Sequence, residues 1–175
     1  MKTLTSYMTL ANRTNKDGEL IESKPEVINA LVTQLPDIIK AANGADRIKA
    51  AFVYGEKLRD TGLLPREQLH IDLEPLDKER LHALLGIVSE AGELCESIYS
   101  CIINNDPLDR DNLIEELGDV MWFIALFARS LDTDLENIVT INIEKLKVRY
   151  PEQFSDFQAV NRDLEGEKNA ITQTA

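Results

Sequence analysis

The stretch "RDNLIEELGDVMWFIALFARS", residues 110–130, decides the fold. At about 100° per residue, Leu113, Glu116, Asp119, Val120, Phe123 and Phe127 fall on one stripe of an α-helix, so two acids continue the face that two phenylalanines must bury. Residues 120–128 offer no polar side-chain group except the indole N–H of Trp122. Such a run predicts a helix buried nearly all round. Ionised carboxylates seldom enter those surroundings without a partner, so Glu116 and Asp119 need a reason to be there.

The preceding segment supplies two more acids. In "SEAGELCESIY", residues 89–99, Glu90 and Glu93 lie three apart, beside an apolar arc of Leu84, Val88, Ala91, Cys95 and Ile98. Small Ala91 and Gly92 let a neighbour approach. This helix is expected from about Lys78 to Ile103 with Asp77 as its cap, and the turn "NNDPLD", residues 104–109, folds the next helix back against it. In an antiparallel pair the four acids reach similar height. Each close pair of charges then repels by about 1 kcal/mol in water and by several at interior dielectric, so cations are required. A divalent metal or a Lys or Arg from elsewhere would serve, and both remain open at this point. An all-oxygen donor set suits Mg²⁺ or Mn²⁺. A di-iron carboxylate bundle needs Glu-x-x-His motifs, and reading neither His70 nor His82 as part of one sets it aside. The absence of a glycine at the sharp turn of "NNDPLDRDNLIEE" sets aside a calcium loop.

Elsewhere apolar residues recur at three and four, and strand-like alternation is scarce. Ser23, Pro25 and Glu26 read as a helix start, Pro36 as an interruption, and Asn43-Gly44 as a stop. "ADRIKAAFVYGEKLRD", residues 45–60, reads as another helix, and Thr61 to Asp77 as a loop or broken segment. Thr133 and Glu136 resemble a capping box opening a helix that ends before Tyr150-Pro151, and the tail after Gly166 is expected to fray. The 175 residues thus predict one all-α domain: an N-terminal helical extension at 1–77, an antiparallel four-helix-bundle core at 78–163 and a flexible tail at 164–175. The net charge of −12 leaves no basic footprint for nucleic acid, and phosphate ligands would need a cation as intermediary. The apolar run 120–128 is far short of the roughly 18 residues that span a bilayer, and the N-terminus has no signal-peptide core. A cytoplasmic location without membrane contact is expected, with Cys95 and Cys101 as reduced apolar filler.

"EAGE", then "EELGDVMWF" starting 22 residues after Glu93, then "NIEKLKVRYPEQF" resemble the MazG-like all-α NTP pyrophosphatases, especially the small phage-type members. The likeness covers about Leu81 to Asp163, with a weaker echo in "YMTLANRT", residues 7–14. It implies hydrolysis of a nucleoside triphosphate to monophosphate and pyrophosphate, with Mg²⁺ (or Mn²⁺ in its place) held by Glu90, Glu93, Glu116 and Asp119. Many members carry a further Glu before the first pair; Ser89 stands there, and Glu115 is the candidate substitute. Asn142, Lys145 and Arg149 match a segment that contacts substrate phosphates and sugar, and they share one helical face. Lys145 and Arg149 would stabilise departing pyrophosphate, while His82, Trp122 and Phe123 are candidates for contact with the base; a core role for the aromatics is the alternative. The resemblance also implies a homodimer or homotetramer, and a role in nucleotide-pool control in a bacterial or phage-infected cytoplasm. The competing reading is a non-catalytic acidic helical module for interaction or oligomerisation.

Overall fold

The computed structural model describes residues 4–16, 24–56 and 72–174. All regular structure among them is helical: α1 (Leu4–Asn12), α2 (Pro25–Tyr54), α3 (Pro75–Tyr99) with a π-helical extension over Ser100–Asn104, α4 (Arg110–Arg129), α5 (Leu135–Arg149), α6 (Asp156–Val160) and α7 (Leu164–Thr174). The all-α expectation holds. Ser23, His70 and most of the expected Thr61–Asp77 loop lie outside the described residues. The elements fall into two compact units, residues 24–131 and residues 1–23 with 132–175.

In the first unit α3 packs between α2 and α4. Arg129 of α4 reaches Glu79 near the start of α3 at 3.5 Å, and Ser97 near its end donates to Asn112 near the start of α4 at 3.0 Å, so the two helices run antiparallel. Asp109 caps α4 by accepting from the Asn112 N–H. α2 is also antiparallel to α3, with Ala42 against Gly92 and Lys49 on Ser89 and Glu90.

Several local expectations are overturned. Pro36 and Asn43-Gly44 do not break the chain; both lie inside the 30-residue α2, which ends at Gly55 in the left-handed region (φ 71°). Ala42, Gly44 and Ala45 are buried inside α2, and a buried glycine within a long packed helix does not terminate it. α3 begins at Pro75, three residues earlier than expected, because proline at the first helical position lacks only an N–H that would be unpaired anyway. Asp77 lies in the first turn and pairs with Arg80. The arc expected to face the core of α3 is turned outward: Leu84, Val88 and Ile98 are exposed, and Ala83, Gly86, Ser89, Glu90 and Gly92 are buried. Small side chains permit two neighbours to approach α3 closely, and that contact outweighs the larger apolar area on its other side. α4 is not buried all round either, since Ile114, Leu117, Met121 and Trp122 are exposed while Glu116, Phe123 and Ala128 are covered.

A Cβ at Gly92 would collide with the Cβ of Ala42, an atom with no side-chain freedom to withdraw. Gly92→Ala is therefore expected to cost about 1–3 kcal/mol in urea unfolding. Gly118→Ala meets nothing within 4 Å and is expected to gain up to about 1 kcal/mol from helix propensity. Equal stability of the two variants would show that the α2–α3 contact is not close-packed.

In the second unit α5 packs on α1 and α7. The N-cap of α5 is Asp134, one residue beyond the expected Thr133; its carboxylate accepts from the Asn137 N–H at 2.8 Å while Thr133 accepts from the Asn137 side chain. The tail expected to fray is helical. Its Glu167, 3% exposed, accepts from both Arg149 and Arg162, and this charge cluster anchors α7 to α5.

Candidate metal centre

Three of the four expected acids meet. Glu90 from α3 and Glu116 and Asp119 from α4 each present a carboxylate oxygen within 4.8 Å of the others, the first two buried and Asp119 exposed. Antiparallel pairing produces this convergence, because residues midway along α3 face residues midway along α4. Glu116 is fixed by its own helix: Asn112, one turn earlier, donates to its Oε1 at 2.9 Å and is itself held by Ser97.

Glu93 is outside the trio but feels it. Water displaced by the surrounding protein, then the charges of Glu116, Glu90 and Asp46, push its carboxyl up to about 7, with Lys49 opposing. Glu115 is exposed and takes no part in the trio.

The positive charge that is present comes from α2, in the part of the chain left without a role by its sequence. Lys49, 7% exposed, donates to Glu90 Oε1 and Ser89 Oγ, both at 2.9 Å, and lies 3.2 Å from Asp46 Oδ1. Burial lowers its pKa, but hydrogen bonding and attraction to Glu90 and Asp46 outweigh this, and the net direction is upward. Ser89, 2% exposed, can donate to Glu90 Oε1 or to the Gly86 carbonyl, each at 3.0 Å. Sequence reasoning missed Lys49 and Asp46. Their signal was the spacing of Ala42, Ala45 and Lys49, which places a lysine on a stripe of small buried residues.

Beside this cluster Phe123 is buried against Gly86, where a Cβ would overlap its ring, and lies under the Lys49 ammonium, 5.1 Å from the centroid. His82 meets Tyr54, Trp122 and Phe123 edge to face. Burial and then the Lys49 charge lower its pKa, and its Nε2 is buried without a hydrogen-bond partner among the described residues. Trp122 is 56% exposed, so its ring has an open side next to His82 and Phe123.

Both histidines do follow a glutamate by three residues, Glu67 before His70 and Glu79 before His82, so spacing alone leaves the di-iron reading standing. Geometry decides for the second pair: Glu79 reaches Arg129, His82 is enclosed by rings, and neither joins the trio. Glu67 and His70 lie outside the described residues.

Asn142, Lys145 and Arg149 lie on α5, in the other unit. All three are half-buried, and Arg149 spans both oxygens of Glu167 with its Nε at 2.9 Å and Nη2 at 2.7 Å.

Comparison with known proteins adds four findings. Residues 78–154 match the model of the MazG nucleotide pyrophosphohydrolase domain. The Gene 37 protein of Mycobacterium phage L5 is 36% identical over 72 residues, 39% of this chain and 63% of that protein, so the chain spans less than two thirds of this relative. Protein YvdC of Bacillus subtilis (strain 168), itself uncharacterised, is 33% identical over 73 residues, 37% of this chain and 69% of that protein. No solved structure matches.

Proposed function

We propose that this chain, which belongs to the MazG nucleotide pyrophosphohydrolase family, is a Mg²⁺-dependent hydrolase that splits a nucleoside triphosphate into monophosphate and pyrophosphate, in control of nucleotide pools. The convergence of Glu90, Glu116 and Asp119 carries the reading. Oxygens that share one Mg²⁺ at about 2.1 Å lie about 3–4.2 Å apart, so a trio within 4.8 Å needs only slight closure to hold the ion. The hard, all-oxygen donors suit Mg²⁺, with Mn²⁺ as a substitute. When bound, such an ion neutralises phosphate charge and lowers the pKa of the attacking water.

The chain's own residues do the rest. Asn112 and Lys49 hold two of the carboxylates in place before substrate arrives. Glu93, beside the trio and with its carboxyl pushed up to about 7 when no metal is bound, is the group at the cluster assigned to accept a proton. Lys145 and Arg149 supply positive charge for the leaving pyrophosphate, with Asn142 on the sugar. Trp122, Phe123 and His82 offer aromatic surface to the base. A homodimer or homotetramer is supported by the exposed apolar stripes of Val27, Ile28, Leu31 and Ile38 on α2 and of Ile114, Leu117 and Met121 on α4. No helix among the described residues is long and apolar enough to cross a membrane. The proposed action on nucleotides belongs to a bacterial or infected-host cytoplasm.

Chromatography of a single-turnover reaction tests the reading across common and modified (d)NTPs. Monophosphate plus pyrophosphate is the expected outcome, and diphosphate plus orthophosphate would refute it. The Lys49–Glu90 pair favours one alternative, a non-catalytic helical module whose charges cancel internally. Absence of hydrolysis across the whole panel would select that alternative.

A further inference from the structure

The Lys49 ammonium has three oxygen partners from three residues: Ser89 Oγ at 2.9 Å, Glu90 Oε1 at 2.9 Å and Asp46 Oδ1 at 3.2 Å. They match its three N–H donors in number, and the ring of Phe123 lies beneath. A hydroxyl and two carboxylates are also oxygens that a hard divalent cation accepts. Glu90 belongs to this cage and to the trio with Glu116 and Asp119, whereas Asp46 and Ser89 belong to the cage alone. Among the described residues, both hydrogen bonds to Glu90 fall on Oε1, so its second oxygen is not engaged by the cage.

We propose that the Lys49 ammonium permanently takes the place of a second divalent cation between Asp46, Ser89 and Glu90, so that the centre holds one divalent ion per chain; this rests on the metal-dependent reading above. A tethered, buried cation is not exchanged with ions in solution. A second divalent ion would have to displace it and leave an ammonium buried without its anions, an arrangement burial strongly disfavours. Ser89 fits the cage because its hydroxyl accepts from the ammonium while adding no negative charge. A carboxylate there would bring a charge that Lys49, already shared by Glu90 and Asp46, could not neutralise.

Counting Mn²⁺ bound to the purified chain, by titration calorimetry with loss of the free-ion paramagnetic signal, tests this independently of turnover. The wild type is expected to bind one ion. Lys49→Met, which keeps the apolar stem and removes the charge, is expected to bind two, and Lys49→Met with Asp46→Asn to return to one. Asp46→Asn alone is expected to bind one ion with an affinity within about threefold of wild type, because Asp46 serves the lysine and not the metal. Two ions in the wild type, or one in a Lys49→Met chain of native helical circular dichroism, overturns the inference and leaves the proposed function standing. If Lys49→Met does not fold, Asp46→Asn decides: a drop in Mn²⁺ affinity of about tenfold or more places Asp46 on the metal and overturns the inference. A wild type that binds no Mn²⁺ overturns the inference and the metal-dependent function together.

Discussion

EDTA is expected to abolish hydrolysis and added Mg²⁺ to restore it, while Asp119→Asn and Glu93→Gln are expected to cut kcat by orders of magnitude in excess Mg²⁺ without lowering Tm. The two halves of this result have one cause. Carboxylates gathered for a cation repel one another in its absence, so removing one charge removes function and relieves strain together. For Glu93 the sign is fixed by the pKa. Its value of about 7 in the folded chain lies above the ordinary 4.5, so its ionisation costs stability that is absent below about pH 4.5 and fully felt above about pH 7. The Tm gain of Glu93→Gln over wild type should therefore be larger near pH 8 than near pH 5. Glu90→Gln should behave differently. It leaves the buried Lys49 with a weaker partner, and a destabilisation of about 1.5–3 kcal/mol is expected. Activity that persists in EDTA would refute the metal centre, and unfolding of Asp119→Asn would assign that residue to the architecture instead.

The contrast between Glu90 and Glu93 also shows where the sequence was legible. The four acids stood out because apolar neighbours on the same helices made their placement anomalous, and the turn at Pro107 and Asp109 forced the two helices together. That reasoning is local, and Glu90, Glu116 and Asp119 do come together in the fold. It failed wherever a distant partner decided the outcome. Gly44 and Pro36 carry the local marks of helix breaks, but α2 continues through both, with Ala42, Gly44 and Ala45 buried and Ala42 set against Gly92 of α3. Leu84 and Val88 looked like core by hydropathy, yet the close approach of two neighbours favoured the small stripe of Ala83, Gly86 and Gly92. Gly166 looked like the start of a loose tail, and nothing local signals that Glu167 would close on Arg149 and Arg162. Lys49 was missed for the same reason: an Asp three residues before a Lys is an ordinary surface pair until a buried glutamate arrives from another helix.

Lys145→Ala and Arg149→Ala are each expected to lower kcat/KM by about 1.5–3 kcal/mol, roughly 10- to 150-fold, the range for removing a charge-assisted hydrogen bond to a departing pyrophosphate. A cationic pair acts best on the group that leaves with the most charge, so the effect should appear in kcat at least as strongly as in KM. Arg149 needs a control because it already spans Glu167. Two hydrogen-bonding arginines hold the Glu167 carboxyl at about 2, below the ordinary 4.5, so its contribution to stability is fully present above about pH 4.5 and disappears as pH falls towards 2. Arg162 still pairs with Glu167 in Arg149→Ala, so the buried carboxylate keeps a partner and the variant should fold. Glu167→Gln then separates the two roles of Arg149. If the arginine meets substrate, Glu167→Gln lowers Tm at neutral pH and spares kcat/KM relative to Arg149→Ala. If Arg149 only anchors α7, both variants lower Tm, neither changes kcat/KM beyond the fraction unfolded, and Lys145→Ala has no effect on turnover.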